Sequence, residues 1–132
     1  MRERAARAWC EWEDTHVAIR PRAPDRRFED PSFRMCFARL VTHYWRHAAF
    51  LEEGERLRNA DRLSSIPAVL VHGRLDVSSP LDVPWQLSRA WPGSELVVVD
   101  DAGHGAGADG MTSALLAATE RFARRHRLGP LG

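Results

Sequence analysis

The chain has 132 residues, 44% hydrophobic and 28% charged, enough for one globular core and too few for two complete ones. Nineteen basic residues against 18 acidic ones leave a formal charge of +1, so no strong field draws it toward nucleic acid or an anionic membrane. Every basic residue is an arginine, and the arginines are scattered without a stripe of interleaved aromatics, which argues against a phosphate-tracking surface.

Cys10 and Cys36 lie in different segments with no C-x-x-C or paired Cys/His spacing. They read as reduced thiols, implying neither a disulfide framework nor a zinc site; no other metal or cofactor is implied. The opening MRERAARAWCEWED is too charged for a signal peptide, and no apolar run approaches the roughly 18 to 20 residues of a membrane span. A soluble, cytoplasmic protein is the expectation.

The composition changes near residue 60. Before it, ERAARAWCEWED predicts a helix with Trp9 and Trp12 three apart on one face, expected to be core. The stretch IRPRAPDRRFEDPS holds Pro21, Pro24 and Pro31, each restricting the residue before it, and reads as a loop. A second helix is expected from about Arg34 to Leu51, and no strand pattern occurs in this half.

From Ile66 onward, strand and helix patterns alternate. IPAVLVHG is a short apolar run closed by glycine, as in a parallel strand buried on both faces. LDVPWQLSRAWPG places Val83, Leu87, Ala90 and Trp91 at helical spacing, with Pro84 in the first turn and Pro92-Gly93 at the end. ELVVVD is a second strand. MTSALLAATERFARRH puts Met111, Leu115, Ala118 and Phe122 on one helix face, with arginines in the last turns where the helix dipole favours cations. This is a right-handed parallel crossover followed by a helix. Two strands make an unfinished sheet.

Between the second strand and the last helix, DAGHGAGADG contains G-x-G-x-x-G at Gly105, Gly107 and Gly110. A dinucleotide turn begins almost at the strand end and is followed by an acid-bearing strand. Here Asp101, Ala102, Gly103 and His104 intervene and no such strand follows, so nucleotide binding is disfavoured. The lysine of a phosphate-binding G-x-x-x-x-G-K-[ST] loop is also absent. His104 is the more informative residue. Asp76 lies just past the first strand and His104 just past the second, at the edge of a parallel sheet where catalytic groups gather. A carboxylate there can hold one imidazole nitrogen and leave the other as a general base. The alternative reading is a helix-capping Asp76 and a surface-loop His104.

At IPAVLVHGRLD, AWPGSELVVVDDAGH and the helix ending ATERFA, the sequence resembles the proline iminopeptidase (prolyl aminopeptidase) family of serine peptidases, which have the α/β-hydrolase fold. AWCEWED, ARLVTHYWRHAAFL and LRNADRLSSIPA resemble the family's helical cap and its link into the core, so the similarity spans about residues 5 to 124. The resemblance implies an α/β fold, namely two parallel strands with flanking helices preceded by helices of the cap. It implies a cap portion over 1–60 and a core portion over 61–132. It further implies that Asp76 is the triad acid and His104 the triad base, with His43, Tyr44 and Trp45 lining a substrate pocket. The substrate would be a peptide or small amide with an N-terminal proline, released by hydrolysis.

The family's nucleophile is a serine in G-x-S-x-G that precedes the acid and the histidine. Ser32, Ser64, Ser65, Ser78, Ser79, Ser88, Ser94 and Ser113 all lack the flanking glycines, and no HGGPG-like oxyanion segment occurs. The expectation is a C-terminal part of a longer enzyme, inactive alone. Where the family has a glutamate two residues before its HYF motif, this chain has Val41, and the loop after the histidine offers only Asp109. A buried substrate ammonium needs a counter-charge, so strict proline specificity is in question. The alternatives are a part of another α/β-hydrolase, esterase or amidase, or a non-catalytic interaction module.

Overall fold

The computed structural model describes residues 2–107 and 110–127. It divides into two compact units, the first ending at Asn59 and the second beginning at Ala60.

The first unit is helical. Helix α1 (Arg2–His16) packs against α2 (Pro31–Arg46), with the small side chains of Ala6, Cys10 and Ala38 buried between them. Burial pushes the Cys10 thiol pKa up. Arg34 is buried as well. Its guanidinium pairs with Glu3 on α1 and donates to the carbonyls of Phe28 at 2.6 Å and Glu29 at 2.9 Å, fastening the intervening loop to both helices. Helix α2 starts three residues earlier than its apolar pattern predicts. Asp30 caps it by accepting from the Ser32 amide at 2.8 Å, and Pro31 occupies the first turn, where its missing N–H costs nothing.

That helix also stops short of the expected Leu51. His47 closes it, and Ala48, Ala49 and Phe50 follow at φ 49°, 54° and 60°. No glycine announces this left-handed run, which is why periodicity alone overextends the helix. Trp45 reaches back to α1, edge-on to Trp9 with ring centroids 5.5 Å apart. Trp12, expected as core, is 46% exposed, stacked on His16 at 4.0 Å. It lies at the rim of the helix pair. After a short helix α3 (Glu55–Arg58), the second unit opens on a 3₁₀ turn at Ala60–Leu63.

In the second unit, strands β1 (Ala68–Gly73) and β2 (Ser94–Val99) pair in parallel, from Ala68 opposite Ser94 to Gly73 opposite Val99. Helix α4 (Asp82–Ala90) joins them, and α5 (Met111–Arg127) follows β2. Trp91 ties the crossover to the entry segment, its indole N–H shared between the carbonyls of Leu63 at 2.8 Å and Ile66 at 3.1 Å. Among the described residues, no helix is long and apolar enough to cross a membrane.

Two expectations about burial need correction. The strands are only half-buried rather than covered on both faces, because the sheet has two strands among the described residues. On α5 Leu115 is 39% exposed, and the inward stripe is Met111, Ala114, Ala118 and Phe122 instead. Across the described residues the buried apolar side chains are Ala6, Cys10, Ala38, Ala60, Ala102 and Met111, whereas Ile66, Val77, Trp85 and Leu116 are each more than half exposed. Burying apolar area drives folding, and here Met111 is the one large side chain among those buried apolar residues.

Candidate active site

The site forms where the ends of β1 and β2 run side by side. Past Gly73 the backbone turns, and the Arg74 amide donates to the Val99 carbonyl at 2.9 Å, while the Leu75 amide donates to the Ala102 carbonyl at 2.9 Å. These bonds continue the ladder one loop beyond the sheet. They require close approach at Gly73, where a Cβ would come within 2.4 Å of the carbonyl oxygens of both Ala102 and Gly103. Only glycine fits there without displacing the second loop. Ala102 is fully buried beneath the same contact.

This stitching brings Asp76 and His104 together. Asp76 Oδ2 lies 3.0 Å from His104 Nδ1. Its other oxygen accepts from two backbone amides, Ser78 at 2.9 Å and Ser79 at 3.0 Å. One carboxylate oxygen thus faces the imidazole while the other ties down a turn that belongs to no helix, so Asp76 is not a helix cap. The Asp76 side chain is 4% exposed and that of His104 49% exposed, so a buried acid meets a base that reaches the surface. Burial would raise the Asp76 pKa, yet the Ser79 amide, His104 and the Ser78 amide together hold it below the usual carboxylate value. An ionised Asp76 accepts a hydrogen bond from Nδ1–H of His104, which leaves Nε2 as the nitrogen with a lone pair.

His72 sits beside this pair, its Nε2 2.7 Å from the Ser79 carbonyl and 3.6 Å from Asp76 Oδ2. Arg74 is half exposed and pairs with Asp100 at 2.6 Å instead of with Asp76. Of the three fingerprint glycines only Gly110 has a left-handed φ, 78°, and a Cβ at Gly105 or Gly107 would meet nothing within 4 Å. Those two glycines are not demanded by the turn. Asp109 lies outside the described residues.

His43, Tyr44 and Trp45 belong to the first unit, near the C-terminal end of α2, and all three are exposed. His43 lines a shallow groove of about 940 Å³ with Cys36, Arg39 and His47. Tyr44 packs edge-on against Phe50 at 5.6 Å and His43 lies tilted against the same ring at 5.5 Å, whereas Trp45 packs on Trp9. Val41 is half-buried on the same helix. No group of three or more metal-ligating side chains occurs among the described residues. Residue patterns alone did not disclose the roles of Gly73, of the Ser78 and Ser79 amides, or of Ala102. Gly73 closing the strand was the one available signal, and backbone amides leave none.

Comparison with curated proteins gives consistent relatives. The chain is 50% identical over 128 residues to a probable proline iminopeptidase of Streptomyces coelicolor, an alignment covering 94% of this chain and 39% of that protein. A probable proline iminopeptidase of Leptolyngbya boryana is 40% identical over 134 residues, covering 99% of this chain and 41% of its own length. The proline iminopeptidase of Arabidopsis thaliana is 38% identical over 120 residues, covering 89% and 32% respectively. The chain thus spans 32% to 41% of the length of these relatives, matching a C-terminal portion of them. No family model matches the chain.

Proposed function

As the chain belongs to the proline iminopeptidase family of α/β-hydrolases, we propose that it carries the acid and the base of a serine-hydrolase relay. Asp76 orients the imidazole and stabilises its protonated form. His104 Nε2 takes the proton of a serine hydroxyl as that oxygen attacks the acyl carbon, then returns it to the leaving amine. The observation that carries this reading is the 3.0 Å contact between Asp76 Oδ2 and His104 Nδ1, made by a buried carboxylate whose other oxygen is held by two amides.

The nucleophile and the oxyanion donors come from outside these 132 residues, since no serine here sits in G-x-S-x-G. The exposed Ile66, Val77, Trp85 and Leu116 support a core that is completed by further strands and helices. In the completed enzyme the helices before Ala60 belong to the cap, and His43, Tyr44 and Trp45 face the substrate. That substrate is a peptide or small amide with an N-terminal proline, processed in the cytoplasm. Val41 leaves the cap without a carboxylate at one position where the family resemblance puts one, which favours apolar acyl groups with less demand for a free ammonium.

The test is complementation. The 132-residue chain alone should not cleave proline p-nitroanilide. Mixed or fused with the N-terminal portion of a homologue that carries G-x-S-x-G, it should, and His104→Ala should abolish the gain. Turnover by the unmodified chain alone, lost on His104→Ala, would overturn the division of labour. Hydrolysis of p-nitrophenyl acetate without the proline amide would point to an esterase instead. A chain that binds the N-terminal portion without any turnover would be an interaction module.

A further inference from the structure

We propose that His72 is a positioning residue for the Asp76–His104 pair, a role that rests on reading that pair as acid and base. His72 is the penultimate residue of β1, with a side chain 15% exposed. It therefore stands on rigid, hydrogen-bonded backbone, opposite Val98 of β2. The segment after Asp76 has no such support: through Ser78 and Ser79 it forms neither helix nor strand. What holds it is side-chain chemistry. Asp76 Oδ1 accepts from the Ser78 and Ser79 amides, and His72 Nε2 lies 2.7 Å from the Ser79 carbonyl.

A carbonyl oxygen only accepts, so His72 Nε2 carries the proton and donates it. Ser79 is thus held on both sides, its N–H by Asp76 and its C=O by His72. The consequence falls on the rotation of the carboxylate. With Ser79 anchored to β1, its amide and that of Ser78 fix Oδ1, and Oδ2 is left facing His104 Nδ1 at 3.0 Å. His72 Nε2 is also 3.6 Å from Oδ2, beyond hydrogen-bond reach. Its proton goes to Ser79 rather than competing with His104 for the carboxylate. If the Ser79 anchor is lost, the turn and the carboxylate gain freedom to rotate together, and His104 loses a fixed partner. His72 touches neither substrate nor nucleophile in this arrangement; it acts through Asp76.

The experiment compares the 132-residue chain with His72→Leu and His72→Gln by NMR, and with Asp76→Asn as a reference. Gln places an amide N–H near the position of Nε2, whereas Leu removes the donor. In His72→Leu, amide exchange at Ser78 and Ser79 should rise about five- to tenfold, the scale of one lost buried hydrogen bond. The His104 ring-nitrogen shifts should move toward those of Asp76→Asn, and His72→Gln should keep the parent's values in both. The proposal is overturned if folded His72→Leu leaves exchange and the His104 ring-nitrogen shifts unchanged, or if His72→Gln behaves like His72→Leu. It is also overturned if the imidazole nitrogen shifts of the unmodified chain show His72 protonated at Nδ1 alone, a measurement that needs no variant to fold. Should Asp76→Asn leave the His104 ring-nitrogen shifts unmoved, the acid–base reading fails, while exchange at Ser79 still decides whether His72 holds the turn.

Discussion

Asp76 and His104 are 28 positions apart in sequence, and their side chains meet at 3.0 Å because the loops that carry them are laced together across the end of a parallel strand pair. The carboxylate is buried and the imidazole half exposed. That asymmetry suits a relay in which the acid stays ionised and the base faces an incoming group.

Replacing the carboxylate by its amide tests this division directly. Asp76→Asn keeps an oxygen for the Ser78 and Ser79 amides but presents an N–H to His104 Nδ1, favouring the tautomer protonated at Nε2. In the complemented enzyme kcat should fall by about 10³- to 10⁴-fold with little change in KM. The His104 ring-nitrogen chemical shifts of the 132-residue chain should report the move of its proton from Nδ1 to Nε2. An unchanged kcat would remove Asp76 from the relay.

Gly73 should be intolerant of any side chain. Gly73→Ala would drive a methyl group to 2.4 Å from two carbonyl oxygens on fixed backbone, and the second loop would have to move away. We expect a loss of about 2 to 4 kcal/mol in denaturant unfolding, the range for overpacking and strain, together with loss of the Asp76–His104 contact. Gly105→Ala, where a Cβ meets nothing within 4 Å, should change stability by less than about 0.5 kcal/mol. Equal effects of the two substitutions would contradict the close approach.

Acid should weaken the second unit through Asp76. Its folded pKa lies below its ordinary value of 3.8, so the unfolded chain binds the proton more readily than the folded one. The stabilisation is complete above the unfolded value and is lost as pH falls through the folded one. Denaturant midpoints followed from about pH 6 to about pH 3 should fall less steeply for Asp76→Asn than for the parent. Parallel curves would show that the carboxylate contributes nothing to acid sensitivity.

In the first unit, Arg34 should be the residue least open to replacement. Its buried guanidinium satisfies two carbonyls and pairs with Glu3 on the facing helix. Arg34→Ala should cost about 2 to 4 kcal/mol, from orphaned carbonyls and a cavity between helices. Arg34→Lys should recover little, since an ammonium cannot reproduce the fork that reaches all three partners. Thermal unfolding of the two variants checks both statements.

Much of the candidate site was legible before any fold was known. A parallel strand announces itself as an apolar run closed by glycine, and residues just past two such strands are candidates to meet. The start of α2 was legible too: Asp30, Pro31 and Ser32 carry a cap and a first-turn proline, but the proline-rich loop before them masked the signal. Its end was not, because Ala48, Ala49 and Phe50 take left-handed backbone that their side chains do not advertise.

The order of elements, a carboxylate and an imidazole each just past a strand, and the lack of a G-x-S-x-G serine were written in the residues themselves, since periodicity and side-chain type are local properties. Tertiary structure alone decided which oxygen of Asp76 faces His104, which amides hold the other, and why Gly73 admits no side chain. Those depend on the approach of backbones distant in sequence. It also decided that Arg74 turns to Asp100 and that His72 grips Ser79, outcomes set by competition among partners that only the folded chain brings within reach.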